Sequence, residues 1–344
     1  MPAVADILTA WYDRNGRSLP WRGTRDPYRI WLSEVILQQT RVAQGWNYYL
    51  RFTERFPDVA SLAAADEDTV LKLWQGLGYY SRARNLHAAA RQVMTDFGGR
   101  FPDTFEEVRS LRGVGDYTAA AICSLAYDRP CAVVDGNVYR VLARLYDIAE
   151  PIDTGAGRKL FAALAQETLG QARPSAYNQA IMDFGATLCT PAQPRCDVCP
   201  LAEQCAARAA GTIAERPVKK GAAKIRNRRF HYLHIVCGDR TVLRRRGAGD
   251  IWQGLYEFPL VESELEAPEL YATEEFSQWV GSDWKLIERV DLPKHQLSHQ
   301  LILATVYRIG ATAFTPEAAA CAVPVAEVGD YAVSRLLERY LLSK

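Results

Sequence analysis

The sequence predicts a mainly α-helical body followed by a smaller α/β domain. Three observations carry this prediction: apolar residues recur at helical spacing through the first two hundred positions, a basic stretch interrupts them, and the period then shortens towards two. In the first region Val70, Trp74 and Leu77 repeat at i, i+4, i+7, and Leu86, Ala89, Ala90 and Val93 at i, i+3, i+4, i+7. Such stripes are the core faces of amphipathic helices. From Ala206 to Arg229 the pattern fades, and Lys219, Lys220, Lys224, Arg226, Arg228 and Arg229 follow one another with no acid between them. Residues 211–229 therefore read as a basic linker between a helical domain, 1–210, and a second domain, 230–344. In the latter, FHYLHIVC, the turn Gly238-Asp239, TVLRRR, a Gly-rich stretch and YEFPLVE read as a β-meander, and a helix returns from Tyr331 through Leu341.

Composition bounds the function. A chain of 344 residues that is 49% hydrophobic can bury a large core and has the length of two domains. No apolar run reaches the roughly 18 residues of a membrane span, and the start, MPAVADILTAWYDRNGR, lacks the apolar core and cleavage site of a signal peptide. The expectation is an intracellular protein of the cytoplasm or nucleoid, with no membrane partner. A net charge of +1 excludes a global basic field, so a polyanion must be bound by local arrangements. Eight cysteines in a reducing compartment should not be disulfides. Four of them fall in the pattern Cys189-x6-Cys196-x2-Cys199-x5-Cys205, stiffened by Pro191, Pro194 and Pro200, which points to a metal site. Zinc is the first alternative for four thiolates, although this spacing is not the paired CxxC of a zinc ribbon. Cys123, Cys131, Cys237 and Cys321 are isolated and read as core.

The stretch LRGVGDYTAAAI, Leu111 to Ile122, sits between two predicted helices. Thr104 and Glu107 have capping-box spacing ahead of it, so a short helix leads into Gly113, Val114 and Gly115, and a second helix runs through TAAAICSLAY. This is a helix-hairpin-helix. Its glycines would let backbone N–H groups at the start of the second helix meet an anion, and a DNA phosphate is the obvious candidate.

Two carboxylates add chemistry. In CAVVDGNVYRVLARLY, Asp135 stands just ahead of a helix whose face is Val138, Leu142 and Leu145, where helix N–H groups and the dipole should hold it ionised. By itself such an Asp is an N-cap. Glu34 lies mid-helix among Trp31, Leu32, Val35, Ile36 and Leu37, surroundings that raise a carboxyl pKa. A protonated Glu paired with an ionised Asp is the division of labour that breaks glycosidic bonds.

Together the cysteine spacing, LRGVGDYTAAA, VDGNVYRVLAR and LPWRGTRDPYRIWLSEVILQQTRV resemble the MutY adenine DNA glycosylases, within the endonuclease III superfamily. The resemblance covers nearly the whole chain. It implies a helix-hairpin-helix glycosylase fold with a six-helix lobe at about 22–125, an iron-sulfur lobe of 1–21 plus 126–210, and a Nudix-like lesion-recognition domain at the C-terminus. It implies a 4Fe-4S cluster on Cys189, Cys196, Cys199 and Cys205. Its substrate is duplex DNA carrying adenine opposite 8-oxoguanine or guanine, from which adenine is flipped and cut in base excision repair by a monomeric enzyme.

Residue by residue, the resemblance makes Glu34 the acid that protonates adenine and Asp135 the carboxylate facing the sugar cation, with Tyr117 and Asn137 supporting Asp135 and the sugar. It places Trp21, Arg22, Leu37 and Gln179 around the flipped base. Gln39, Thr40 and Tyr79 become the residues that wedge into the stack and meet the lesion. Bifunctional relatives carry lysine at the position of Tyr117, and a phenol cannot form their Schiff base, so the expectation is a monofunctional enzyme. TVLRRRGAGDIWQGLYEFPLVE resembles the opening of a Nudix domain, but the hydrolase box is missing. Gln296-Leu297-Ser298-His299 matches a family loop in which Phe-Ser-His recognises 8-oxoguanine; here Leu297 replaces the phenylalanine and leaves Ser298 and His299 to hydrogen-bond. The alternatives are a bifunctional glycosylase/AP lyase acting on another base and a non-catalytic iron-sulfur DNA-binding protein.

Overall fold

A computed structural model describes residues 3–221 and 225–344; Lys224 of the basic stretch lies outside the described residues. The chain forms two compact units, one from the described residues of 1–64 and 85–221, the other from those of 65–84 and 222–344.

The first unit is helical. Helices α1 (Val4–Asn15), α2 (Pro27–Leu37), α3 (Val42–Arg55) and α4 (Val59–Ala64) open the chain. Asp26 caps α2, accepting from the Tyr28 N–H at 2.9 Å, and Pro27 follows at a position where no donor is needed. Helix α5 (Glu67–Trp74) belongs to the second unit, and α6 (Ser81–Asp96) returns the chain to the first. The hairpin follows as α7 (Phe105–Ser110) and α8 (Asp116–Tyr127), then α9 (Gly136–Leu145), α10 (Gly155–Leu169), α11 (Pro174–Thr187) and the short α12 (Ala206–Ala210). Thr104 caps α7 by accepting from the Glu107 N–H, as its spacing predicts. Leu8 and Trp11 of α1, Val138 and Leu142 of α9, Phe161 of α10 and Tyr177, Ile181 and Phe184 of α11 share one core. Trp11 meets Phe184 edge-on with ring centroids 5.1 Å apart. No described helix is long and apolar enough to cross a membrane.

The second unit is built on a mixed sheet. Its strands are β1 (Arg226–Cys237), β2 (Arg240–Val242), β5 (Leu260–Glu262), β6 (Trp284–Asp291), β7 (His295–Gln296), β8 (Gln300–Ala311) and β9 (Ala322–Pro324), while β3 (Arg244–Arg245) and β4 (Tyr256–Glu257) pair separately. The order β6-β8-β1-β2-β9 corrects the expected meander: β1 and β8 pair in parallel from Arg226 opposite Gln300 to Val236 opposite Gly310. Both central strands are covered on both faces. Phe230 and Tyr232 point into a core with Ile302, Val306, Leu336 and Tyr340, and Leu233 and Ile235 into another with Tyr307, Ile309, Phe276 and Val280. A strand buried on both sides carries no local cue to its partner, so the sequence could not place β8 beside it. Helices α13 (Glu274–Val280), α14 (Pro316–Ala320) and α15 (Arg335–Leu341) complete the unit. The last begins four residues beyond the Tyr331 start expected from sequence, because Ser334 caps it through the Leu337 N–H.

The basic stretch is not a free linker throughout. Arg226, Arg228 and Arg229 lie in β1, and Val218 and Lys220 hydrogen-bond Ile152 and Asp153 in the first unit. Arg228 is buried between two carboxylates, donating to Asp250 at 2.6 and 2.7 Å and to Glu262 at 2.7 and 2.6 Å. Its partners lie 22 and 34 positions away, which is why the run reads as unneutralised.

Arg228 holds both carboxyls below their ordinary range. Stability from these pairs is present above that range and lost as pH falls through the lowered values. Arg228→Ala should cost on the order of 2–3 kcal/mol at neutral pH, less than the about 3–5 kcal/mol of a fully buried pair because both carboxylates keep over a third of their surface. Urea unfolding followed by tryptophan fluorescence checks this; an unchanged midpoint would remove the network from the fold's energetics.

Candidate active site

The first unit encloses a cavity of about 510 Å³. Glu34, Tyr117, Asp135 and Asn137 line it, as do Trp21, Arg22, Leu37, Gln179 and Thr40. Nine residues singled out from five separated segments of sequence therefore reach one space. Helix α2 delivers Glu34 and Leu37, the start of α8 delivers Tyr117, the start of α9 delivers Asp135 and Asn137, and α11 delivers Gln179.

Glu34 is 9% exposed on a helix otherwise packed into the core. Burial pushes its carboxyl up to about 7, with the charge of Asp135 adding to the rise and Tyr117 and Arg22 opposing it. It is thus half protonated near neutrality, as a general acid requires. Tyr117 donates its hydroxyl to Glu34 Oε2 at 2.6 Å. The hydroxyl thus bonds the carboxyl on α2, a partner the sequence reading, which assigns Tyr117 to Asp135 and the sugar, does not name.

Asp135 is the N-cap of α9. Its Oδ1 accepts from the backbone N–H groups of Asn137 at 2.9 Å and Val138 at 2.8 Å, and its Oδ2 from the Asn137 side-chain amide at 2.7 Å. Asn137 therefore contacts Asp135 through both its backbone and its side chain. Burial nonetheless outweighs these three donors and leaves the carboxyl above its ordinary value, so the cap limits the desolvation cost and does not reverse it.

Several residues here went unnoticed in the sequence. Asp183 is fully buried and accepts from Arg22 through two 2.6 Å bonds and from the Arg17 backbone and side chain. Burial would raise it, but the two arginines win and hold it below its ordinary value. Arg140 donates to Asn137 Oδ1 at 2.8 Å, to the Gly185 carbonyl at 2.6 Å and to the Cys189 carbonyl at 2.7 Å. One turn on, the buried Arg144 donates to the carbonyls of Thr190, Pro191, Ile213 and Arg216 and reaches Cys189 Sγ at 3.5 Å. The available signal was the i, i+4 spacing of these arginines on the helix that Asp135 caps.

The four spaced cysteines are brought together: Cys189, Cys196, Cys199 and Cys205 line one pocket with Arg144, Arg195, Arg208 and apolar residues. Burial, followed by the charges of the other three, pushes the Cys199 thiol up to about 11. Among the described residues no group of three or more Cys, His, Asp or Glu closes around the position of a single ion.

The remaining predicted residues lie outside the cavity lining. Gln39 is exposed just past α2 with φ of 55°. Gly113, at φ of 75°, faces Asn85, whose Cβ would stand 2.6 Å from an added Cβ; Val114 is buried and Gly115 caps α8 with open space beside it. The expectation of two uncovered glycines thus holds for Gly115 alone, because Asn85 fills the space at Gly113. In the second unit Tyr79 is 48% exposed, and its hydroxyl shares a 2.8 Å hydrogen bond with Ser298 Oγ. Ser298 and His299 are exposed between β7 and β8, whereas Leu297 packs against the core.

The chain has recognisable relatives. A model of the HhH-GPD superfamily of base excision DNA repair proteins matches residues 32–166, and a NUDIX domain model matches residues 231–343. An adenine DNA glycosylase from Mus musculus is 46% identical over 220 residues, covering 59% of this chain and 42% of that protein; the chain thus spans about two fifths of the length of this mammalian relative. One from Buchnera aphidicola subsp. Baizongia pistaciae is 32% identical over 298 residues, covering 84% of this chain and 81% of its own. Among solved structures, a thermostable thymine-DNA glycosylase superposes with a TM-score of 0.56 at 28% identity, over 60% of this chain and 95% of its own. A non-covalent endonuclease III–DNA complex, at 22% identity and a TM-score of 0.51, shares the fold over 60% of this chain and 94% of its own.

The Tyr117 bond favours the ionised form of Glu34. Tyr117→Phe should therefore raise the Glu34 carboxyl above about 7, and a carbon-detected NMR titration of the side-chain carboxyl reads it. A titration midpoint that falls or stays fixed would contradict this electrostatic assignment.

Proposed function

The chain belongs to the adenine DNA glycosylase family, and from that premise we propose that it hydrolyses the N-glycosidic bond of adenine mispaired with 8-oxoguanine or guanine in duplex DNA. The observation that carries the reading is the pair of carboxyls on one cavity, Glu34 held near neutral pKa by burial and Asp135 fixed by three donors at a helix start. Neutral adenine leaves as a poor anion, so its departure needs a proton, and a placed acid supplies about 10²–10⁴-fold. Glu34 delivers that proton to the base. Asp135 faces the oxocarbenium-like sugar, where a carboxylate stabilises the developing cation. Trp21, Leu37, Arg22 and Gln179 offer the flat apolar and polar walls that a flipped base requires. With a phenol at position 117 and, among the described residues, no amine on the cavity wall, water completes the reaction and the strand is left uncut.

Recognition of the partner base falls to Gln39 and Thr40 of the first unit and to Tyr79, Ser298 and His299 of the second. The exposed positions of Ser298 and His299, and the hydrogen bond between Ser298 and Tyr79, support that role. The inward packing of Leu297 leaves the loop's reading to its polar members. Gly115 and the start of α8 meet a DNA phosphate, which positions the duplex without reading it.

We read the four-cysteine pocket as the holder of a 4Fe-4S cluster. A buried arginine with carbonyl partners and no carboxylate is costly beside neutral thiols and suits an anionic thiolate cluster, and Arg144 is such a residue. The cluster would tie residues 189–205 into one rigid loop and supply negative charge against Arg144.

Single-turnover assays on duplexes carrying A:8-oxoguanine and A:G, with T:8-oxoguanine and undamaged controls, test the activity. The chain should excise adenine from the first two without forming a borohydride-trapped adduct, and Glu34→Gln and Asp135→Asn should each abolish excision while retaining duplex binding. Near-normal excision by either variant would overturn the carboxylate roles.

Purified holoprotein should be brown and contain iron and acid-labile sulfide. A colourless protein with one equivalent of zinc would replace the cluster with a zinc site.

A further inference from the structure

Gln179 lines the cavity, and its amide can present either an acceptor or a donor to whatever enters, because the oxygen and nitrogen ends are interchangeable in shape. What holds it is the hydroxyl of Tyr12, whose ring stands beside Arg22 and, behind that, Asp183. Asp183 is fully buried and accepts from Arg22 at 2.6 Å. Arg22 can only donate, and its guanidinium carbon lies 5.5 Å from the ring centroid of Tyr12 on α1. Burial leaves the Tyr12 phenol above its ordinary value, with the charge and hydrogen bond of Arg22 pulling the other way. With that cation beside it, the phenol is a stronger donor of its own proton. It gives it to Gln179 Oε1, at 3.1 Å. Tyr12 itself is held in place: a Cβ on Gly16 would stand 2.7 Å from its ring, so the ring fills the space that this glycine leaves.

We infer that Tyr12 is a specificity-determining positioning residue, whose hydroxyl holds the oxygen of Gln179 so that only the N–H₂ end faces the cavity and reads a ring-nitrogen acceptor of the bound base. The inference rests on the adenine reading above and deepens it. Adenine carries acceptors at its ring nitrogens and a donor at its exocyclic amine. An amide locked donor-first matches the former, and an amide free to turn spends part of its time presenting oxygen to them instead. Tyr12 stands outside the cavity lining and meets it at two residues, its hydroxyl at Gln179 and its ring at Arg22.

A double-mutant cycle in the full-length holoprotein tests this. Tyr12→Phe keeps the ring against Gly16 and Arg22 and removes only the hydroxyl. It should lower the single-turnover rate on A:8-oxoguanine duplex about three- to tenfold, the scale of one neutral hydrogen bond. In a Gln179→Leu background the same substitution should change the rate by less than about twofold, the scatter of uncoupled sites. An equal loss in both backgrounds would show that Tyr12 acts through packing, and no loss in either would show that something else orients the amide; both overturn the inference. A second arm needs no substrate. The Gln179 side-chain amide, identified in a nitrogen-proton NMR spectrum by its disappearance in Gln179→Leu, should shift in Tyr12→Phe, and an unmoved signal overturns the hydrogen bond itself. If the wild-type protein excises adenine from no duplex, the adenine reading fails and the amide signal alone decides the place of Tyr12.

Discussion

Helix α9 is the member on which both candidate centres of the first unit depend. Its first turn would leave backbone N–H groups unpaired, and Asp135 satisfies two of them, so one carboxylate serves as cap and as site group at once. Arg140 then ties Asn137 to the carbonyls of Gly185 and Cys189, and Arg144 fastens the cysteine loop through the carbonyls of Thr190 and Pro191 and the segment after it through those of Ile213 and Arg216. Helix α11 approaches so closely that a Cβ at Gly185 would stand 2.7 Å from Asn137 Cβ. A rotation of α9 would thus move the carboxylate and disturb the cysteine loop together. The two pockets are separate spaces held by one rod.

In and beside the cavity, burial acts on three carboxyls with different outcomes because their partners differ. Asp183, behind the lining, has two arginines and is held below its ordinary value; Asp135 has three neutral donors, which soften a rise that burial still wins; Glu34 has one phenol donor and is pushed up to about 7. The charge of the donors decides the direction. Opposite shifts in neighbouring carboxyls therefore need no unusual chemistry, only an unequal distribution of partners in one low-dielectric region. Arg22 contributes to both sides of this balance, since it neutralises Asp183 and draws Glu34 slightly down.

Sequence patterning located what depends on local periodicity. The apolar neighbours of Glu34 placed it on a buried helix, the helix after Asp135 made that residue a cap, and the cysteine spacing found a shared pocket. What it missed depends on contacts between distant segments. The partner of Tyr117 is decided by which helix α8 packs against, and the fate of Arg228 by carboxylates on later strands. The parallel pairing of β1 with β8 spans some seventy residues, and hydrophobic alternation is silent about it. Arginines 140 and 144 look like an ordinary solvated face until the loop that covers them is known. Gly113 illustrates the same limit on a small scale: its positive φ is foreseeable from a helix-loop-helix turn, but the side chain that fills its open side comes from Asn85 on another helix.

The second unit shows how a departure from a familiar pattern can be absorbed by packing. Position 297 carries leucine where an aromatic ring was expected from the resemblance, and a leucine has no face with which to stack on a base. It packs instead against the core that contains Phe230, Ile302 and Leu336, and its N–H donates to the Gln300 carbonyl at 2.8 Å. Both interactions fix the turn between β7 and β8, and the two residues at its tip are left exposed. Anchoring the base of a short turn reduces the conformational freedom its tip must lose on meeting a ligand. Tyr79, from a segment that packs within this same unit, shares a hydrogen bond with Ser298 at that tip. The turn below Tyr79 is itself held by the second unit, through Gln75 to Glu338 and the Val333 N–H and through the Tyr80 hydroxyl to the Val333 carbonyl. The tip of this turn therefore presents two polar side chains, Ser298 and His299, with the half-exposed ring of Tyr79 fixed beside Ser298.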